Sequence, residues 1–214
     1  MSPGTEGSAP SELSSHDRIL QAARTLFSQQ GYENTTTSAI SRRAGTSESQ
    51  LIKHFGSKEG LLEAIFEQGW RRLGGSLRQV MEQTSAPLER LHALTGLLVD
   101  ALERDKDLRT LMLLEGRRIR KHGHMVALTR GFLQVVGGID RVLAEMRDAG
   151  QLRTDLHLEA MRSAVIGAFE GLLRDQILAE RGDYPASYSP AEMREALRSL
   201  LDCFLVPQPA GSPV

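Results

Sequence analysis

Residues 17–62 read DRILQAARTLFSQQGYENTTTSAISRRAGTSESQLIKHFGSKEGLL, and three glycines, Gly31, Gly45 and Gly56, divide them. Ahead of Gly31, positions Ile19, Ala23, Leu26, Phe27 and Gln30 recur at helical spacing. They predict a first helix over about Ser15 to Gln30, with Leu26 and Phe27 on its inner face. Ser14 with Asp17 suits its start, and Gly31 its stop. A short second helix, about Thr37 to Ala44, turns Ile40 and Ala44 inward and ends at Gly45. A third, about Glu48 to Phe55, begins after Ser47, and Ser47 with Gln50 has the S-x-x-Q spacing of a capping box. Its inner stripe is Leu51 and Phe55, and Gly56 breaks it.

The helical period continues downstream. Ser57 starts a longer helix to about Leu73, with Leu62, Ile65, Phe66 and Trp70 on one face. Gly74-Gly75 is expected to weaken or bend it, although Leu77 and Val80 extend the stripe. Pro87 suits the first turn of a helix carrying Leu91, Leu94, Leu98 and Leu102. A short apolar helix from Leu108 to about Glu115 follows, and then a basic, glycine-bounded connection from Gly116 to Gly123. Met125 to Ala149 carries Leu128, Phe132, Val135, Ile139, Val142 and Met146, close to a heptad seam. Leu158 to Ala179 carries another seam. Pro190 to Leu205 carries the last, with Met193, Leu197, Leu200 and Phe204. That predicts about nine helices and no strand.

Composition agrees. Of 214 residues 40% are hydrophobic, 25% charged and only 5% aromatic, which is globular usage without the aromatic and β-branched clusters of an all-β domain. No apolar run reaches the roughly 18–20 residues that span a bilayer. The start of the chain lacks the basic and apolar regions of a secretory signal. One cysteine, Cys203, excludes an intrachain disulfide and a cysteine-based zinc site, and a cytoplasmic setting is expected. With 26 basic and 27 acidic residues the formal charge is −1, so a basic surface must be local.

Three short helices with a glycine turn between the second and third suggest a helix-turn-helix. Docking in DNA needs a short helix pinned on one side and polar on the other. Residues 46–54 fit: Leu51 and Phe55 pin, and Ser47, Glu48, Gln50, Lys53 and His54 are left outside. Phosphate binding favours free N–H groups at helix starts beside hydroxyls or cations; Thr36 and Thr37 start the second helix, and Lys58 starts the fourth. Residues 14–60 hold six cations against four anions, a weak excess that also suits a small helical subdomain with solvated arginines.

Residues 17–62 resemble the DNA-binding head of the TetR/AcrR family of transcriptional regulators. The shared elements are Ile19, Ala22-Ala23, Leu26-Phe27, Gly31-Tyr32, Thr36-Thr37, Ile40, Ala44-Gly45, Ser47, Leu51, His54-Phe55, Ser57-Lys58-Glu59 and Leu61-Leu62. The resemblance implies that the third helix enters the major groove, with Thr46, Ser47, Gln50, Lys53 and His54 nearest DNA and with Thr36 or Thr37 and Lys58 on phosphates. Two positions depart from the pattern. Ile52 stands where the family often has a phosphate-binding Tyr. Glu48 stands where Lys, Arg or a small residue is common; a carboxylate there repels phosphate but can accept from cytosine N4, or it serves only the first turn of its helix.

Other features weigh less. His122 and His124 have no ligand-like partners nearby and read as solvated, as does the run Arg117, Arg118, Arg120, Lys121. No catalytic motif and no metal or cofactor site is found. Gly137-Gly138 suits close packing, a bend or space beside a cavity. Ala164, Gly167, Ala168 and Gly171 suit a close helix contact, which the resemblance places at a dimer interface with Cys203 on or near it; the ordinary alternative for Cys203 is the core. The expectation is an all-α protein with tails at 1–13 and 207–214. A helix-turn-helix domain spans 14–57, and a ligand-binding and dimerisation domain spans 58–206. Phe66, Trp70, Met112 and Phe132 are the candidate cavity residues, each otherwise plain core. The expected function is a homodimeric regulator, a repressor released from a pseudo-palindromic operator in double-stranded DNA by a small-molecule effector, with no membrane partner. The alternative is a helical small-molecule-binding protein or enzyme with a vestigial head.

Overall fold

The computed structural model describes residues 13–115, 119–182 and 184–207. Arg117 and Arg118 of the basic run, and nearly all of both expected tails, lie outside them. The described chain is a helical stack: α1 (Ser15–Gln30), α2 (Thr37–Ala44), α3 (Glu48–Phe55), α4 (Lys58–Gln83), α5 (Pro87–Arg104), α6 (Lys106–Thr110), α7 (Arg130–Asp148), α8 (Leu158–Glu180) and α9 (Pro190–Asp202). The first three fall where the glycine punctuation puts them. Ser14, Thr36, Ser47 and Ser57 each accept a backbone N–H at a helix start, which satisfies a donor that the helix itself leaves unpaired.

Downstream the structure corrects several expectations. α4 runs unbroken through Gly74-Gly75, because Leu73 before the pair and Leu77 and Met81 beyond it pack on a core, and packing outweighs propensity. The stretch 108–115 is not one regular helix: α6 passes into a π turn at Leu111–Glu115. The basic connection contains a minimal antiparallel hairpin, β1 (Arg120–Lys121) and β2 (His124–Met125). Its turn residues His122 and Gly123 both have positive φ, 49° and 83°, as a tight two-residue hairpin requires, and Lys121 ties it to Glu63 of α4 at 2.7 Å. Met125 is therefore in a strand. α7 starts only at Arg130, capped by the Thr129 hydroxyl, and Leu128 is left 42% exposed. α9 stops at Asp202, three residues early.

Two apolar cores stack along the molecule. One joins α1–α3 to the start of α4 and to Val99, Leu102, Leu108 and Leu111. The other gathers Leu91, Leu94, Ile139, Val142, Met146, Met161, Val165 and Leu201. Met193, Leu197 and Phe204, the stripe of the last helix, are buried within the chain, whereas Cys203 is exposed. Small residues let helices touch: a Cβ on Gly131 would stand 2.3 Å from Trp70 Cβ, and one on Gly69 2.6 Å from Leu108 Cδ2.

Polar contacts join the head, α1–α3, to the body. Arg24 of α1 pairs with Asp105, which also caps α6 by accepting from Leu108 N. Arg109 of α6, 1% exposed, pairs with Glu103 and with Glu180 of α8, the latter at 2.7 Å. Partners on both sides are what make a buried guanidinium tolerable.

Candidate nucleic-acid interface and effector cavity

The turn between α2 and α3 closes on Gly45 in the left-handed region, φ 63°, and its N–H caps α2. That turn leaves Leu51 and Phe55 buried under α3. At 100° per residue, Ser49 and Lys53 then stand opposite the buried stripe, with Gln50 and Ile52 on its flanks. All four are exposed, and Ile52, a large apolar side chain, is 49% exposed. Ser49 and Ile52 were not among the sequence candidates; the angular position relative to Leu51 was the signal available for both.

The remaining candidates occupy the rim. Thr36 and Ser47 are exposed helix caps, accepting from Ala39 N at 3.1 Å and Gln50 N at 3.3 Å. Thr46 is half-buried between them. Thr37 donates its hydroxyl to Glu48 at 2.6 Å, so the carboxylate is turned toward the start of α2. His54 lies on the α1 side of α3, its Nε2 3.1 Å from Ser15 Oγ and its ring edge-on to His16. Lys58 faces inward: its Nζ donates to the carbonyls of Tyr32 and Thr35, each at 3.1 Å, and sits 4.1 Å from the Tyr32 ring centre. Arg18 is likewise held, by Ala44 O at 3.0 Å. Of the head's cations, Arg42, Arg43 and Lys53 stand exposed around α3.

Beneath this rim, the Tyr32 hydroxyl donates to Glu59 at 2.8 Å. Burial, and then the Glu59 carboxylate beside it, push the Tyr32 hydroxyl well above its usual range. Burial pulls Glu59 upward too, but a backbone N–H, the Tyr32 and Ser57 hydroxyls and the Lys58 ammonium outweigh it, and its carboxyl lies below the usual value.

The body holds a cavity of about 260 Å³ among α4, α5, the π turn, α7 and α8. Trp70, Met112 and Phe132 line it, with Leu98, Val136 and Phe169. Phe66 does not; it is fully buried in the core beneath the head. Its i−4 spacing from Trp70 was real, but the cavity opens only above that turn. A wider cleft of about 780 Å³ lies alongside, between α4, α5 and α7. Gly138 lines it, which gives the glycine pair of α7 its place beside a hollow. His122 and His124 are exposed on the hairpin, and among the described residues no cluster of three His, Cys, Asp or Glu could hold a metal ion.

Residues 19–65, the three head helices and the start of α4, match the family profile described as bacterial regulatory proteins, tetR family. This segment carries the TetR-family signature. It is 35% identical over 104 residues to the HTH-type transcriptional repressor KstR2 of Mycolicibacterium smegmatis, covering 48% of this chain and 47% of that one. It is 39% identical over 93 residues to the HTH-type transcriptional regulator YvkB of Bacillus subtilis, covering 42% and 47%. The chain thus spans about half the length of these relatives. The fold extends further: the structure of the regulator FadR from Bacillus subtilis in complex with stearoyl-CoA superposes with a TM-score of 0.76 at 17% identity, over 87% of this chain and 97% of that one. No helix among the described residues is long and apolar enough to cross a membrane.

Proposed function

We propose that this protein is a homodimeric transcriptional repressor that binds a pseudo-palindromic operator and leaves it when a small-molecule effector occupies the body. The observation that carries the reading is the outer face of α3, pinned by Leu51 and Phe55 and presenting Ser49, Gln50, Ile52 and Lys53 on a helix slim enough for the major groove. Gln50 pairs with adenine, Lys53 with guanine, and Ile52 meets a thymine methyl. Thr36, Thr37, Thr46 and Ser47 offer hydroxyls and N–H groups to phosphates at the starts of α2 and α3. His54 and Lys58 hold the frame from either side, and Lys58 adds charge near the backbone. Dimerisation falls to α8 and α9. Ala164 and Gly167 of α8 are small and exposed, as are Ala196 and Ser199 of α9 and Cys203 just after it, and small exposed residues let a second copy approach closely. Effector binding falls to the cavity at Trp70, Met112 and Phe132; the stearoyl-CoA bound by FadR supports a ligand role for a body of this fold.

The test is an electrophoretic shift of the full chain on DNA flanking its own coding region, followed by a base-substitution panel. Gln50→Ala and Lys53→Ala are expected to change which operator positions matter, each by about 1–3 kcal/mol of discrimination. In Ile52→Ala, replacing operator thymine by deoxyuracil, which removes only the methyl, is expected to lose the effect it has on the wild type. Variants that only scale affinity on every sequence would take α3 out of the groove, and no shift on any fragment would end the regulator reading.

A further inference from the structure

We propose that the effector is a polyanionic amphiphile, a medium-length acyl chain joined through a carbonyl to a phosphate-bearing head, with its tail in the 260 Å³ cavity and its head in the neighbouring cleft. The inference rests on the reading of the body as an effector site and names what the site takes. The cavity is walled mainly by Leu, Met, Val, Ile, Phe and Ala side chains and Trp70, with Glu170 the one charged residue in its lining. At roughly 30 Å³ per water-sized group it holds about nine such groups, which suits an eight-carbon tail and is short for eighteen carbons.

The cleft has the opposite character. Four arginines line it, Arg71, Arg78, Arg90 and Arg141, against Glu67 and Glu145. Both glutamates are engaged: Glu67 accepts from Gly131 N at 3.1 Å, and Glu145 pairs with Arg90 at 2.7 Å. Arg71, Arg78 and Arg141 have no carboxylate partner among the described residues. Arg71 and Arg78 are seven residues apart on α4, about 10 Å along the axis at 1.5 Å per residue. A head with several phosphate groups can engage both at once, and the guanidinium fork suits phosphate oxygens. Gly74 and Gly75 also line this cleft, and a Cβ on either would touch nothing within 4 Å. Mid-helix glycine with no close neighbour leaves room rather than packing.

Trp70 lines both hollows. It is 8% exposed, and its indole N–H is buried with no hydrogen-bond partner among the described residues. An unpaired buried donor is costly, and a ligand carbonyl at the junction satisfies it. Tail, carbonyl and head thus follow from three separate features of the same wall.

Octanoyl-CoA is the probe, titrated into the full-length protein by calorimetry and by the fluorescence of Trp70, the chain's one tryptophan. Octanoyl-CoA is expected to bind more tightly than coenzyme A, octanoate or stearoyl-CoA, and more weakly as salt rises. Arg71→Gln with Arg78→Gln is expected to lower affinity roughly tenfold or more and to flatten the salt dependence; both side chains are exposed, so the melting curve stays where it was. Trp70→Phe, followed by calorimetry, is expected to erase the preference for octanoyl-CoA over its S-octyl thioether, which lacks the carbonyl. Affinity that ignores salt and both arginines, or octanoate or stearoyl-CoA binding as tightly as octanoyl-CoA, overturns the proposal. A DNA shift on the same samples separates the two readings. Release by some other ligand but not by octanoyl-CoA sinks the effector class alone, and octanoyl-CoA binding without any DNA binding sinks the regulator alone.

Discussion

The ammonium of Lys58 donates to two carbonyls of the α1–α2 turn and covers the Tyr32 ring, so its first role is to hold the head together. Lys58→Ala is expected to lower stability by about 2 kcal/mol, the scale of hydrogen bonds to a charged group, read as a lower urea midpoint; a lysine that met only DNA would leave that midpoint unchanged. Its neighbours give the head a pH signature. Glu59 titrates below its ordinary 4.5 when folded. Its contribution is therefore complete above that value and is lost as pH falls through the lower, folded one. Tyr32 titrates above its ordinary 10.0, so its contribution is complete below that value and is lost as pH rises beyond it. Urea midpoints across pH are expected to show a flatter acid limb in Glu59→Gln and a flatter alkaline limb in Tyr32→Phe. Equal slopes in variant and wild type would remove this pair as the source.

Within the elements, α4 is the instructive case. Gly74 and Gly75 lie in its interior with nothing near the space a Cβ would take. Helical glycine costs about 1 kcal/mol relative to alanine, so Gly75→Ala is expected to raise stability by about that amount, measured as a higher urea midpoint with an unchanged slope. Gly131→Ala is the contrast, because its Cβ would collide with Trp70. Helix existence was legible in the sequence from the spacing of Leu, Ile and Phe, but helix starts depended on caps. Ser14, Ser47 and Ser57 could be read directly. Thr129 could not, because Leu128 and Met125 continue the apolar period upstream of it and mask the stop. Ser189 with Glu192 forms a full capping box at α9, and its S-x-x-E spacing is present in the sequence.

Across the molecule, one path of contacts joins effector cavity and head. Met112 and Leu113 of the π turn line the cavity, the turn continues α6, and the cap of α6, Asp105, holds Arg24 of α1. Arg24→Ala is expected to reduce the change in DNA affinity that effector causes, and by the same factor the change in effector affinity that DNA causes. Titrations of each ligand in the presence of the other measure it, and an unchanged coupling factor would take Arg24 off the path. Assembly divides two leucines of α9. Leu197 is fully buried within the chain, so a charge there is expected to unfold the protein. Leu200 is only half-buried, so Leu200→Glu is expected to give a folded monomer in equilibrium sedimentation; a persistent dimer would move the interface elsewhere.

The head was legible residue by residue because its determinants are local. Gly31, Gly45 and Gly56 end helices by backbone geometry, Ser and Thr start them by hydrogen bonds three residues away, and Leu51 and Phe55 set the inner face by spacing alone. The sequence by itself therefore determined the three short helices and the side of α3 that faces outward. Tertiary structure decided what depends on partners distant in the chain: that Lys58 and Glu48 are occupied by Tyr32, Thr35 and Thr37, that Phe66 is core while Trp70 borders a cavity, and that Met193 and Leu197 face inward. Apolar spacing says that a side chain must leave water, and only the packing of helices from far along the chain says whether it meets a core, a cavity or a second molecule.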